Sequence, residues 1–290
     1  MKILVTGAKG QLGADVLLAL TSRNIECKGV DLADFDITNK EIVFSNLKEY
    51  VPTAVIHCAA YTVVDKAEDE PELCFAVNAM GTENIAQACR EINATLLYIS
   101  TDYVFDGKND APYEVDAPAN PLSVYGKSKL AGEEAVRQIV DKHFIIRTSW
   151  VFGQHGNNFV KTMLKLAESK DEINVVCDQI GSPTYTADLA ILLCDMVSSD
   201  KYGTYHATNE GFCSWADFAS EILKQSGHLC RVNPIPNIHY PTKAERPINS
   251  RLSKSNLDEM GFKKLPAWQT AIVNYLSKIR PNFLNRGKAQ

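Results

Sequence analysis

Three groups of residues have the types and spacing to do chemistry. The first is Thr6-Gly7-Ala8-Lys9-Gly10-Gln11-Leu12-Gly13, which follows a short apolar run and opens a helical pattern. Backbone N–H groups at a helix start, aided by the helix dipole, can hold a pyrophosphate, and glycines let it come close. The spacing is G-x-x-G-x-x-G rather than G-x-G-x-x-G, and alone it fits a plain turn as well. Asp31 ends the second expected strand, where a carboxylate can accept hydrogen bonds from both hydroxyls of an adenosine ribose or simply cap a surface strand. Strand, turn, helix, strand and acid, in that order, point to a dinucleotide. The same carboxylate would repel a 2′-phosphate, so NADH is expected ahead of NADPH.

The second group is Tyr125-Gly126-Lys127-Ser128-Lys129, near the start of the helical segment 122–137. Positions i and i+4 share a helix face, which places the Lys129 ammonium beside the Tyr125 phenol. A cation there would draw the phenol pKa down from about 10 toward the range useful for proton transfer. Such a pair is commonly structural; after a dinucleotide turn in the same chain it reads as an acid–base pair. The third group is Ser100-Thr101-Asp102-Tyr103-Val104-Phe105, at the carboxyl end of a strand, where open α/β sheets place their ligand sites. Thr101 can hydrogen-bond a substrate oxygen there, the alternative being a strand-end turn capped by Asp102.

The elements that must position these groups follow from hydrophobic period. Largely apolar runs at 2–6, 53–60, 95–100 and 143–147 read as strands, and a second strand in chain order is expected at about 25–31. Between them lie helical patterns, including one near 40–50 and one that opens at Pro71 and carries Leu73, Val77, Met80, Ile85, Ala88 and Ile92. Near-continuous apolar strands separated by helices imply an α/β fold, a Rossmann-type doubly wound parallel sheet covered on both faces. Residues 1–150 are expected to form this dinucleotide-binding domain. After residue 150 the pattern loosens, with helices near 186–198 and 214–226, a strand near 203–207 and a Pro-rich run from Pro234 to Pro247. Residues 151–290 are therefore expected to form mainly a smaller substrate lobe, with some segments returning to the first domain. The tail from Asn285 to Gln290 reads as a frayed end.

Composition narrows the function classes. The 290 residues are 45% hydrophobic and 22% charged, enough for a sizeable core. Thirty Lys and Arg against 35 Asp and Glu give a net charge of −5 without long single-sign runs, so no electrostatic footprint for nucleic acid or an anionic membrane is expected. The longest charge-free stretch, Tyr50 to Val64, includes Pro52 and His57 and falls short of the roughly 20 apolar residues of a membrane span. The N-terminus has no signal-peptide pattern, and none of the eight cysteines pairs as C-x-x-C, so the expected location is the reducing cytoplasm. The six histidines show no H-x-x-x-H spacing, and no metal is expected.

Taken with Asn78-Ala79-Met80-Gly81-Thr82, the glycine turn and the Tyr125/Lys129 pair make the chain resemble the extended short-chain dehydrogenase/reductase superfamily. Within it the chain is similar to the dTDP-4-dehydrorhamnose reductase family. The resemblance runs through Gly10-Gln11-Leu12-Gly13, Ala60 to Glu68, Ser100 to Phe105, Tyr125 to Glu133, Arg147-Thr148-Ser149-Trp150-Val151 and Gly156-Asn157-Asn158-Phe159. It continues through Asp178-Gln179, Gly181, Pro183-Thr184 and Arg246 to Leu252, nearly the whole chain.

This resemblance implies reduction of the 4-keto group of dTDP-4-dehydro-6-deoxy-L-mannose to dTDP-L-rhamnose. Tyr125 would give the proton, Lys129 would lower its pKa and hold the nicotinamide ribose, and Thr101 would orient the ketone oxygen. Gly10, Gln11, Leu12, Asp31, Asp36, Ile37, Ala59, Ala60 and Tyr61 would surround the cofactor, with Gly7 and Gly13 shaping the turn. Ile37 departs from the aromatic residue expected beside the adenine. Thr101, Asp102 and Trp150 would meet the dTDP-sugar, the indole through a broad apolar face, the alternative being a core tryptophan near the lobe junction. Arg246 and Arg251 could meet its diphosphate with fixed donor forks or serve as surface salt-bridge partners. Some relatives pair as homodimers through a divalent ion, which leaves a homodimer open here. Two rivals share parts of the pattern. A dehydratase or epimerase shares the fold, but dehydratases place Glu where this chain has Tyr103. The regulatory β subunit of methionine adenosyltransferase shares the Ser-Thr-Asp-Tyr-Val-Phe segment, but Arg147 to Trp150 match the reductases.

Overall fold

The computed structural model describes residues 1–33 and 35–284; the tail expected to fray, 285–290, lies outside them. Six strands form one sheet: β1 (Lys2–Thr6), β2 (Glu26–Val30), β3 (Ala54–His57), β4 (Thr95–Thr101), β5 (His143–Thr148) and, far along the chain, β10 (Gly203–His206). Their order is β10-β5-β4-β3-β1-β2 and every adjacent pair is parallel. Ile3 and Val5 face one layer, with α1 (Gln11–Ser22) and α8 (Thr186–Val197). Leu4, Val55, Leu96 and Ile145 face the other, against α2 (Lys40–Tyr50), α5 (Thr82–Glu91) and α6 (Val124–Ile139). Burial on both faces is why β1, β3, β4 and β5 are largely apolar, whereas the edge strand β2 keeps Glu26 and Lys28 exposed. The order reverses between β1 and β3, so the crevice beyond Thr6 and His57 is the switch point at which such sheets take ligands.

The helix expected from Pro71 through Ile92 is in fact three pieces. After a short helix α3 (Val64–Ala67), α4 (Pro71–Phe75) leads into a π-helical turn at Ala76–Gly81, and α5 follows. The widened turn rotates the helix face, so Met80, counted with the apolar stripe, is 58% exposed. Asn78 explains the insertion. Its side chain accepts from Tyr61 N–H (2.8 Å) and donates to Tyr61 O (3.0 Å) and Ser128 Oγ (3.0 Å), joining three segments.

The second lobe is built from two-stranded pairs and helices. β6 (Val151–Phe152) pairs with β9 (Thr184–Tyr185), β7 (Glu172–Val176) with β12 (Arg231–Ile235), and β8 (Ile180–Gly181) with β11 (Cys213–Ser214). Phe152, Phe218, Trp268 and Tyr275 fill a separate core, with α7 (Phe159–Ala167), α9 (Trp215–Ser226) and α11 (Trp268–Leu284) around it. Two later segments belong to the first layer system: β10 extends the main sheet beside β5, and α8 packs on α1. Leu257 of α10 (Ser255–Glu259) and Phe262 reach the same core.

One polar cluster crosses the sheet interior. Glu133 on α6 is fully buried and receives Ser100 Oγ (2.5 Å), Arg147 Nε (2.9 Å) and Nη2 (2.8 Å), and Arg137 Nη2 (2.5 Å). Burial alone would raise its pKa, but the Arg147 guanidinium and the hydroxyl hold the carboxyl below the ordinary carboxylate range. Removing one member of a buried ion pair leaves the other charge uncompensated. Glu133→Ala is therefore expected to lower unfolding free energy by about 3–5 kcal/mol, read from urea denaturation midpoints; a loss below about 1 kcal/mol would show that the network is not structural.

Candidate active site

The glycine turn sits where the sheet order reverses. Gly7 has φ +65°, and a Cβ there would come within 2.7 Å of Ala59 N; a Cβ on Gly13 would come within 2.2 Å of Gly7 O. Bare backbone is thus required where the turn after β1 meets the segment after β3. No side chain caps the start of α1 at Gly10, so its first N–H groups stay open to an anion. The residues present fit a dinucleotide pyrophosphate. Asp31 stands beside the turn, accepting from Lys9 N–H (2.8 Å) and Leu32 N–H (2.9 Å), each oxygen keeping a lone pair for a ribose hydroxyl. Ala59, Ala60 and Tyr61 follow β3 and are half-buried, Ala59 lying against Gly7 and the Tyr61 phenol donating to Glu70 Oε2 (2.8 Å).

Other expected cofactor residues turn to different partners. Asp36 Oδ1 accepts from Thr38 N–H and Oγ1 (2.9 and 2.7 Å), a local turn. Ile37 is 5% exposed and pressed against Gly81, where a Cβ would come within 2.7 Å, so its side chain belongs to the core rather than to an open adenine face. Leu12 is likewise a core residue. Gln11 Oε1 accepts from Gly153 N–H (2.9 Å) and Asn158 Nδ2 (3.0 Å), fastening the turn to the loop after β6.

The start of α6 is fixed by Ser123, whose Oγ accepts from Gly126 N–H (3.1 Å), and by Glu68, which accepts from Val124 N–H (2.9 Å). Tyr125 is half-buried, with its phenol hydrogen-bonded to Thr101 and its ring edge-on to Tyr103 at 5.6 Å. Here the expected electrostatics is reversed. Burial pushes the Tyr125 phenol up from its ordinary value, with Asp102 and Tyr103 adding to the rise. Lys129 does not face the phenol: its Nζ lies over the Tyr98 ring at 4.1 Å, and burial pushes it down to about 7. The helical spacing is as expected, but the lysine side chain turns inward toward Cys58, Cys74 and Glu133.

Thr101 Oγ1 donates to Asp102 Oδ1 (3.0 Å) and accepts from Tyr103 N–H (3.2 Å). Asp102 is 2% exposed; burial pushes its carboxyl up to about 6, although Ser250 and Thr101 oppose the shift. Its Oδ2 is buried without a well-formed hydrogen bond. Tyr103 is pushed up to about 12 by burial, with Arg246 opposing.

Two cavities of 740 and 880 Å³ open along the 240–246 segment and share Gln179 and Arg246. That segment is held to α3 and the residues after it by Asp65, which accepts from Arg246 Nη2 (2.7 Å) and Ala244 N–H (3.1 Å), and by the Lys243–Asp69 pair. Among the described residues Arg246 Nε is buried without a hydrogen-bond partner; Arg251 already donates to Asn249 Oδ1 (2.8 Å) and Asp110 O (2.5 Å). Trp150, at φ +48°, stacks on Trp215 at 3.7 Å and lies on Gly181, where a Cβ would come within 2.7 Å of the indole. The broad open face expected of it is therefore covered by Trp215, and Gly181 lies against the ring atoms around the indole nitrogen. Trp215, which lines the larger cavity, escaped sequence reading; its position directly after the helix cap Ser214 was the available signal. Tyr98 escaped too, a polar group inside an apolar pattern, and Asn78 stands out in the sequence only as part of a resembling segment, without its contacts.

A glycine turn at the switch point of a parallel sheet, with tyrosine and lysine four apart on a helix beside it, defines an extended short-chain dehydrogenase/reductase. Residues 1–280 match the RmlD substrate binding domain family. A dTDP-4-dehydrorhamnose reductase of Aggregatibacter actinomycetemcomitans is 41% identical over 286 residues, 94% of this chain and 97% of that relative. The crystal structure of dTDP-4-dehydrorhamnose reductase from Bacillus anthracis str. Ames in complex with NADP superposes with a TM-score of 0.93 at 41% identity, covering 96% of this chain and all of that one. The fold is also that of UDP-glucose 4-epimerase from Thermus thermophilus, at 23% identity and a TM-score of 0.83, covering 97% and 99% of the two chains. The chain belongs to the dTDP-4-dehydrorhamnose reductase family.

The buried Asp102 carboxyl generates a pH-dependent stability. Its pKa is raised from 3.8 to about 6 on folding, so stability is full below 3.8 and is lost as pH rises through 6. The difference corresponds to about 3 kcal/mol. Asp102→Asn should therefore melt above the wild type at pH 8 and converge with it near pH 4; equal melting temperatures at both pH values would contradict the burial of a charged Asp102.

Proposed function

We propose that this chain is an NAD(P)H-dependent oxidoreductase that reduces the 4-keto group of dTDP-4-dehydro-6-deoxy-L-mannose, giving dTDP-L-rhamnose for cell-surface polysaccharide. The observation that carries the reading is the Thr101 hydroxyl against the Tyr125 phenol at the carboxyl end of β4, beside a glycine turn shaped for a dinucleotide. Family membership over nearly the full length names the substrate class.

The nicotinamide supplies hydride when bound. Tyr125 carries its proton at neutral pH, as any phenol does, and burial in the free protein holds it more tightly; this proton goes to the ketone oxygen as C4 is reduced. In the free protein the Thr101 hydroxyl donates to Asp102 Oδ1 (3.0 Å), and it turns that single O–H to the ketone oxygen to hold it against the phenol. Lys129, buried on the same helix, holds the nicotinamide ribose by its ammonium; as that group titrates near 7, cofactor affinity weakens as pH rises through 7. Gly7, Gly10 and Gly13 shape the pyrophosphate seat, and Asp31 takes the adenosine ribose. Arg246, with a free buried Nε at the junction of the two cavities, meets the substrate diphosphate. Arg251 and the Trp150 edge complete the nucleotide-sugar site. No helix among the described residues is long and apolar enough to cross a membrane.

Turnover is read as loss of NADH absorbance with the 4-keto sugar nucleotide. Tyr125→Phe should cost at least about 100-fold in kcat while NADH affinity stays within about twofold, since the ring is kept. Lys129→Ala should lower kcat and weaken NADH together, and wild-type turnover in Tyr125→Phe would remove the phenol from the chemistry. Asp31→Ala should narrow the preference for NADH over NADPH by about tenfold, the worth of a charge-assisted hydrogen bond and a lost repulsion; an unchanged ratio of dissociation constants would displace Asp31 from the ribose.

A further inference from the structure

Lys129 is 2% exposed, yet among the described residues its ammonium makes no hydrogen bond. The contact it does make is with the face of Tyr98, Nζ lying 4.1 Å from the ring centroid. Tyr98 is fully buried on β4, and its hydroxyl donates to Lys129 O (3.3 Å) and lies 3.5 Å from Asn78 O. The His57 ring stacks on Tyr98 at 5.7 Å, held in turn by Thr6 Oγ1 (2.6 Å) and Thr82 Oγ1 (3.2 Å). A column therefore runs from the residue before the glycine turn, through an imidazole and a phenol ring, to the lysine.

We propose that Tyr98 is a positioning residue for Lys129, its π face holding the ammonium in place and in its charged form. This deepens the function proposed above and rests on it only for the contact of Lys129 with the ribose. An aromatic face attracts a cation most strongly where water is excluded. The other groups facing the ammonium are Glu133 on its own helix, Cys58 after β3, Cys74 on α4 and His57 on β3. Burial pushes Cys58 up to about 12 and Cys74 upward, so both are neutral thiols. Burial, with the charge of Lys129, pushes His57 down to about 3, so the column carries no second positive charge. Glu133 is already engaged by two arginines. Its charge still favours the ammonium from a distance, and the ring is the direct contact that does so.

The test separates ring electrons from shape. Tyr98→Phe and Tyr98→3,4,5-trifluorophenylalanine keep nearly the same volume while fluorine drains the π face. NADH affinity is titrated by fluorescence across pH 6–9, which needs no sugar substrate, so a wrong substrate would leave this readout intact. Melting temperatures are measured on the same samples. Tyr98→Phe should keep the wild-type pH profile, and the fluorinated variant should lose NADH affinity at a pH lower by about half a unit or more, with the two melting temperatures equal. Superimposable pH profiles for the two variants would overturn the proposal. So would a Tyr98→Phe profile already displaced as far as the fluorinated one, because the hydroxyl would then be doing the positioning.

Discussion

The buried carboxylate of Glu133 is the contact on which the site depends. It lies on one helical stripe with Tyr125 and Lys129, eight and four residues earlier, and it is held by Ser100, the residue before Thr101, and by Arg147 of the neighbouring strand. A charge taken out of water tolerates little displacement from its partners, since each lost donor exposes a desolvation cost of several kcal/mol. The register of α6 along β4 and β5 is thereby set, and with it the approach of the Tyr125 phenol to the Thr101 hydroxyl.

Polar contacts of the same kind join the two lobes. Gln11 and Asp15 lie one turn apart on α1; the first grips the loop between Gly153 and Asn158, the second receives Thr186 at the start of α8. The glycine turn is therefore braced by residues from the second half of the chain. On the other side, Asp65 and Asp69 hold the 243–246 segment that walls both cavities. The glycine turn, the Tyr125 helix and the two cavities are tied to each other through charged or hydrogen-bonded side chains rather than through one continuous apolar core.

Burial explains where the site electrostatics departs from what helical spacing suggests. Four residues of separation put Tyr125 and Lys129 on one face, but a face is not a contact. Lysine has a long stem and followed the ring of Tyr98 into the interior, while the phenol stayed with Thr101. A phenol that holds its proton more tightly and an amine that titrates near 7 are both consequences of exclusion from water.

What the sequence by itself determined is the set of local, periodic features. The parallel strands, the glycine turn, Asp31 after β2 and the start of α6 are visible because each is dictated by a neighbouring residue's backbone demands or by a repeat of 2.0 or 3.6 residues. The family resemblance added the substrate class. What only the tertiary structure decided involves partners far apart in the chain. Ile37 reads as a cofactor residue until Gly81 is seen beneath it, and Trp150 reads as an open face until Trp215 and Gly181 are seen to cover it. The π turn at Ala76–Gly81 arises because Asn78 must reach Tyr61 and Ser128 together. Tyr98 is one more aromatic residue in an apolar strand until the fold lays an ammonium on its ring. Side-chain direction, desolvation and the pKa values that follow depend on which distant surfaces come into contact, and no local pattern encodes that.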